Sequence, residues 1–254
     1  MQLELSRTLT AVLLAALVAG AVATTGALAA SAAETAENPQ NVAYLNVAHA
    51  SPDAPAVDVY VDNETALEDF AFGDVSDYLE LDAGAHTVAI TVADDRSAVV
   101  FEGNLTLERG TATTVAAAGE VSENGTTAFA PRVFPNDALT PDNDYAAVRV
   151  AHLSPDAPTV DVTAEDGDVV LAENVSFGNA SAYVTVPAGD YEVEIRADTP
   201  NADGPVVATV DVSLDDEEAY TAWAVGYASP DDAPADTPFE VILTEDASVT
   251  VELP

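Results

Sequence analysis

Two stretches place a histidine, a serine and an aspartate at alternating positions. They are His49-Ala-Ser51-Pro52-Asp53-Ala54-Pro55 and His152-Leu-Ser154-Pro155-Asp156-Ala157-Pro158. Each runs into a Val-Asp-Val segment that carries Asp58 or Asp161. His, Ser and Asp are the residue types of a hydrolytic triad. A triad, however, needs its members on separate elements that converge in space, and alternating positions beside a proline do not supply that. Gly-x-Ser-x-Gly, His-Glu-x-x-His and phosphate-loop motifs are absent from the sequence. The third histidine, His86, aligns with Tyr191 and reads as a strand position. The chain is therefore expected not to be an enzyme and to need no cofactor. The carboxylates leave one alternative. Asp53 and Asp58, with Asp156 and Asp161, are hard oxygen ligands of the kind calcium takes. Strand alternation turns Asp58 away from Asp53 unless the loop curls back, and no EF-hand loop is present. The favoured reading is a rigid loop between strands. Pro52 fixes φ, Asp53 accepts backbone N–H groups in an Asx-type turn, and Pro55 blocks pairing until a strand starts at Val57.

The elements that must hold these loops are strands, and the chain repeats them. The two motifs are 103 residues apart. The match continues with Phe72-Gly73 over Phe177-Gly178, Tyr78 over Tyr183 and Ala83-Gly84 over Ala188-Gly189. It then passes through Leu107 over Leu214 and Gly119 over Gly226, and closes with Phe129 over Phe239. Order is kept while the offset drifts from 103 to 110, as small loop insertions would make it. Within a copy, Val57, Val59 and Val61 alternate with Asp58, Tyr60 and Asp62, and Tyr191, Val193 and Ile195 alternate with Glu192, Glu194 and Arg196. A period of two means half-buried strands. Turn signals recur every 8 to 12 residues, among them Asp166-Gly167, which reads as a tight hairpin. No helical period follows Ala33. The fold class is all-β: two tandem immunoglobulin-like antiparallel β-sandwich domains after an N-terminal signal or anchor helix. Strand order stays open, because the Cys–Trp–Cys signature is absent. The expected organisation is 1–32 signal or anchor, 33–40 linker, 41–137 first sandwich, 138–144 linker and 145–254 second sandwich.

The doubled His-x-Ser-Pro-Asp-Ala-Pro-x-Val-Asp-Val resembles the signature of domain-of-unknown-function family 4397, found in exported proteins. Both copies match, so the resemblance covers nearly all of 41–246. It implies a β-sandwich extracellular module and supplies no catalytic residue. Ser229-Pro230-Asp231-Asp232-Ala233-Pro234 echoes the motif without its histidine and reads as a proline-rich acidic loop.

Composition sets the surroundings. The 254 residues hold six Arg, no Lys, no Cys and 45 acidic residues, for a formal net charge of -39. Nucleic-acid phosphates need cations that this chain lacks. Disulfides, thiol chemistry and Schiff-base chemistry are excluded with Cys and Lys. The chain is 48% hydrophobic in alternating runs, so the charge coats a folded surface instead of marking disorder. Missing Lys, few aromatics and this acidity resemble proteins of extreme halophiles, haloarchaea in particular. From Thr8 to Ala33 no residue is charged, and Ala27-Leu28-Ala29 and Ala30-Ser31-Ala32 fit signal-peptidase sites. Cleavage would start the mature chain near Ala30 or Ala33. Left uncleaved, the run could span a membrane, which would be its only membrane contact. Either way the remainder is extracellular or on the cell surface. Five Asn-x-Ser/Thr sequons follow, at Asn63, Asn104, Asn124, Asn174 and Asn179, more than 11 Asn and 36 Ser plus Thr would give by chance. The expected function is a secreted or surface structural and interaction module. Its partner would be a cell-envelope protein or glycan, with small-ligand or divalent-cation binding at the motif loops as the alternative.

Overall fold

The computed structural model describes residues 41–249, so the expected signal or anchor at 1–32 lies outside the described residues. In the first repeat the alternating runs form β1 (Val42–Ala50), β2 (Val57–Val61), β3 (Glu64–Phe70), β4 (Leu79–Asp82), β5 (Gly84–Val92), β6 (Asp95–Leu107), β7 (Ala112–Ala118) and β8 (Ala130–Asn136). After β9 (Ala138–Leu139) the plan recurs. It comprises β10 (Tyr145–His152), β11 (Val160–Ala164), β12 (Val169–Val175), β13 (Asn179–Ala180), β14 (Val184–Pro187), β15 (Gly189–Ala197), β16 (Val206–Leu214), β17 (Ala219–Val225), β18 (Glu240–Asp246) and β19 (Ser248–Val249).

Each repeat is a sandwich of two sheets, as expected. The order is β4-β1-β7-β8 over β3-β2-β5-β6 in the first. In the second, β10-β17-β18 carries β13 and β14 on its edge and faces β12-β11-β15-β16. Most pairs are antiparallel. β1 with β7 and β10 with β17 are parallel, because the chain visits the other sheet before returning in the same direction. The first core gathers Leu45, Val47, Val57, Val59, Phe70 and Ile90 between its sheets. Their counterparts Val148, Val150, Val160, Val162, Val175 and Ile195 fill the second.

The sheets of β1 and β10 bury both faces. On one face of β1 lie Leu45 and Val47, turned to their own core. On the other lie Ala48 and Ala50, which join Ala116, Ala118 and Phe134 in a third apolar cluster with Ala151, Leu153, Trp223 and Val225 of the second repeat. The two sandwiches are therefore stacked through their β1 and β10 sheets into four layers with a shared centre. Equivalent positions in this cluster differ in size: Ala50 and Leu153, Ala116 and Trp223, Ala118 and Val225. On β1 and β7 the first repeat is small where the second is large, and at Phe134, whose counterpart is Thr244, the order is reversed. Trp223 is 1% exposed, meets Phe134 edge-on at 5.6 Å and donates its indole N–H to Thr244 Oγ1 at 2.9 Å.

Segment 138–144, expected as a linker, supplies β9, which pairs in parallel with β19, and Thr140 Oγ1 meets Ser248 Oγ at 2.9 Å. Asp166-Gly167 sits in a 3-10 turn at Glu165–Gly167, wider than the expected two-residue hairpin. The tight hairpin is in the first repeat instead. Asp62 and Asn63, both at positive φ (52° and 69°), join β2 to β3, a turn that Asp and Asn tolerate without glycine.

Candidate functional site

Each motif is the crossing from one sheet of a sandwich to the other, β1 to β2 and β10 to β11. A crossing must leave one ladder and enter the next with its backbone groups satisfied. The motif side chains do this. His49 Nε2 lies 3.2 Å from Pro55 O, and His152 Nε2 lies 2.9 Å from Pro158 O, so each imidazole N–H closes its loop across six residues. Burial lowers the pKa of both rings, against the opposing pull of those carbonyls, and keeps them neutral. His152 Nδ1 accepts the Ser154 N–H at 3.3 Å. Ser51 and Ser154 are fully buried. The Ser51 hydroxyl donates to Gly119 O at 2.6 Å, and each serine also lies 3.4 Å from its own motif aspartate.

The first motif aspartate acts at long range, where a local Asx turn was expected. Asp53 Oδ1 and Oδ2 accept the N–H groups of Val121 and Ser122, each at 2.9 Å. Asp156 accepts those of Ala228 and Ser229, each at 2.8 Å. The four amides are themselves duplicates, following Gly119 and Gly226 at the end of β7 and β17. Both glycines have positive φ, and an added Cβ would meet Ala128 O at 2.4 Å or Pro238 O at 2.2 Å. Glycine lets the chain turn there, and the aspartate fork holds it turned. Ser229–Pro234, the motif echo, belongs to this gripped loop, with a 3-10 turn at Pro230–Asp232.

The second motif aspartate grips other backbone. Asp58 accepts the N–H groups of Asp69 (3.1 Å) and Asp94 (3.2 Å), with the Tyr60 hydroxyl at 3.4 Å. Asp161, fully buried, accepts those of Asn174 and Thr199, each at 2.8 Å. Asp53 and Asp58 thus serve different loops, as do Asp156 and Asp161. All eight carboxylate oxygens have a backbone N–H. Among the described residues no group of three or more His, Asp or Glu is arranged to hold a metal ion.

Two further clusters join the repeats. The Tyr227 hydroxyl donates to Glu120 Oε1 at 3.0 Å, while Glu120 Oε2 accepts the Thr127 N–H at 2.8 Å. Thr237 Oγ1 donates to Pro52 O at 2.8 Å, which ties the first motif to the second repeat. In the second cluster Arg149 is 3% exposed. It donates to Thr221 Oγ1 (2.7 Å), Pro135 O (2.6 Å) and Asn136 Oδ1 (2.7 Å), and lies 3.8 Å from Asp246. Asp246 accepts the Tyr183 hydroxyl at 2.7 Å and the Thr221 hydroxyl, and Asn136 donates to it at 3.3 Å. Burial raises the Asp246 carboxyl, against the Thr221 and Arg149 contacts. Sequence reasoning passed over these residues. The available signal was their place in the duplication: Arg149 stands where the first repeat has Asn46, and Asp246 where it has Asn136.

His86, on β5, is set between two acceptors, Asp62 Oδ2 at 2.7 Å from Nδ1 and Asp82 O at 2.6 Å from Nε2. Burial works against its charge, but these acceptors outweigh it and the pKa is raised. The five sequon asparagines are all exposed. Asn63 occupies a hairpin tip and Asn124 the β7–β8 loop. Asn104, Asn174 and Asn179 lie in β6, β12 and β13.

The family model for a domain of unknown function, DUF4397, matches residues 43–163 and again 148–252. Among solved structures the chain is similar to the Bacillus anthracis TIE protein, at 13% identity and a TM-score of 0.24, over 74% of this chain and 34% of that one. It is also similar to a leucine-rich repeat protein from Bacteroides thetaiotaomicron VPI-5482, at 14% identity and a TM-score of 0.20, over 74% of this chain and 26% of that one. The chain thus spans about a third and a quarter of their lengths. No curated protein matches it.

Proposed function

Because the chain belongs to the DUF4397 family and carries the domain twice in tandem, we propose that it is a non-catalytic module of the cell surface or secreted space of a halophile, with a haloarchaeon as the source that best fits the composition. Its two sandwiches form one stiff unit that presents an acidic, N-glycosylated exterior to a cell-envelope protein or glycan. The observation that carries this reading is the use of the motif. Both oxygens of Asp53 and of Asp156 are engaged by backbone N–H groups, and Ser51 and Ser154 are fully buried. The most regular polar residues of the chain are thus engaged in holding its loops. What remains for a partner is the outside: the net charge of -39 and the five exposed sequons. A strongly charged coat keeps such a unit soluble in concentrated salt.

The test is intact-mass analysis of the native protein, taken separately from medium, membranes and cytoplasm. A chain starting near Ala30 or Ala33 with glycan increments makes it a secreted coat module. A chain starting at Met1 in the membrane fraction makes it an anchored ectodomain. An unmodified full-length chain in the cytoplasm overturns the proposal.

A further inference from the structure

The two sandwiches share a plan but differ in their interiors. In the second repeat the space between the sheets is almost filled, with a cavity of about 40 Å³. In the first repeat the same place holds a cavity of about 290 Å³. Its walls are mostly aliphatic and aromatic, including Leu45, Val47, Ile90, Phe101 and Val115, with His49 and Asn104 as the polar exceptions.

The register explains the difference. Opposite Val88, β6 carries Gly103, whereas opposite Val193, β16 carries Val210. Two residues earlier the sizes are reversed, Phe101 against Ala208. The Phe101 ring lies across Gly103, so close that a Cβ there would be 2.6 Å from it. On the facing edge strand, Val133 of β8 stands where β18 has Leu243. Leu243 packs against the second core, whereas Val133 is 53% exposed. The bulk that closes the second sandwich between β16 and β18 is therefore missing between β6 and β8. Those are the outermost strands of their two sheets, and the slot opens between them.

We propose that the first repeat binds one small neutral apolar molecule in this slot, a hydrocarbon chain or ring with at most one hydroxyl. Size and lining select that class. An apolar cavity of about 150 Å³ takes benzene, so twice that volume suits roughly ten non-hydrogen atoms. The lining is almost entirely apolar, so water inside it finds few partners and a guest displaces it at little cost. No arginine lines the slot, so a carboxylate head would find no cation, while His49 in the lining has a buried Nδ1 with no hydrogen-bond partner that can accept from one hydroxyl. The site touches the motif through His49 but uses none of the motif aspartates or serines, and it adds a ligand to a module proposed above on other grounds.

The full chain, in molar KCl with labelled methyl groups, is titrated with 1-octanol and followed by NMR. The methyls of Leu45, Val47, Ile90 and Leu105 are expected to shift and saturate, while those of Val148, Val150 and Ile195 stay still. The second repeat is thus a control within the same molecule. No saturating shift up to the solubility limit overturns the proposal, and so do equal shifts in both repeats. A triple substitution, Phe101→Ala with Gly103→Val and Val133→Leu, installs the second repeat's mouth in the first. It should weaken octanol binding by about tenfold or more. Undiminished affinity in a folded triple variant contradicts the assigned slot, and if that variant does not fold, the comparison within the unmodified chain decides alone.

Discussion

Glu120 and Tyr227 occupy the same position in the two repeats, one residue after Gly119 and Gly226, and they hydrogen-bond to each other at 3.0 Å. Equivalent residues meet like this only near a two-fold axis, as in a symmetric dimer. The stacked sandwiches therefore have the geometry of a dimer whose halves share one chain. The halves are not identical, and at this point one carboxylate faces one phenol. Burial and Glu120 raise the Tyr227 pKa, so the phenol stays a donor. Tyr227→Phe removes a hydrogen bond to a buried carboxylate and should lower stability by about 1.5–3 kcal/mol, measured by denaturant unfolding. A change within about 0.5 kcal/mol would mean that the contact contributes nothing to the seam.

Arg149 and Asp246 show the same divergence in charge. The first repeat has Asn46 and Asn136 at these positions. Arg149→Asn leaves Asp246 buried without its cation and should destabilise by about 3–5 kcal/mol. Arg149→Asn with Asp246→Asn restores the neutral arrangement of the other half. The double variant should therefore be more stable than the sum of the single effects implies, with a coupling above about 1 kcal/mol in a double-mutant cycle. Additive effects would show that the two groups do not act as a pair.

The sandwich, the duplication and the motif crossing could be read from residues. Val57, Val59 and Val61 announce a strand with one buried face, and the motif fixes the offset between copies. The shared centre could not be read. On β1 and β7 its first-repeat face is Ala48, Ala50, Ala116 and Ala118. Alanine on the outward side of a strand looks the same whether water or another sheet lies against it. Nor did the sequence reveal what Asp53 holds. Its partners are backbone amides 68 and 69 residues away, and an amide carries no side-chain signature.

The three histidines should titrate apart. Burial works against the charge of His86, but Asp62 and Asp82 O favour its imidazolium more strongly and raise its pKa above 6.5. Its contribution to stability is present below pH 6.5 and is lost as pH rises through the folded value. Asp62, lowered by the Thr87 N–H and by His86, has the opposite sign: its contribution is lost as pH falls below the usual carboxylate range. His49 and His152 are lowered by burial, so they cost stability as pH falls through 6.5 and the unfolded rings take up protons. Imidazole NMR titration should place His86 above 6.5 and the motif pair below. Three coincident titrations near 6.5 would contradict these environments.

The net charge predicts that folding depends on salt. A net charge of -39 repels itself in dilute buffer, and in molar salt the Debye length falls to about 3 Å. The melt should be cooperative above about 1 M KCl and lose its cooperativity below it. A sharp melt with an unchanged midpoint in dilute buffer would remove the halophile reading.

The central claim is that the motif aspartates are clamps on backbone, and a melt with calcium or with a chelator tests it most directly. The unmodified chain in molar KCl should melt at the same midpoint in either. Asp53→Ala with Asp156→Ala frees four backbone amides and should lower stability by about 2–6 kcal/mol, equally in both conditions. The opposite pattern would contradict the account: calcium raises the midpoint of the unmodified chain, and the double substitution abolishes that rise.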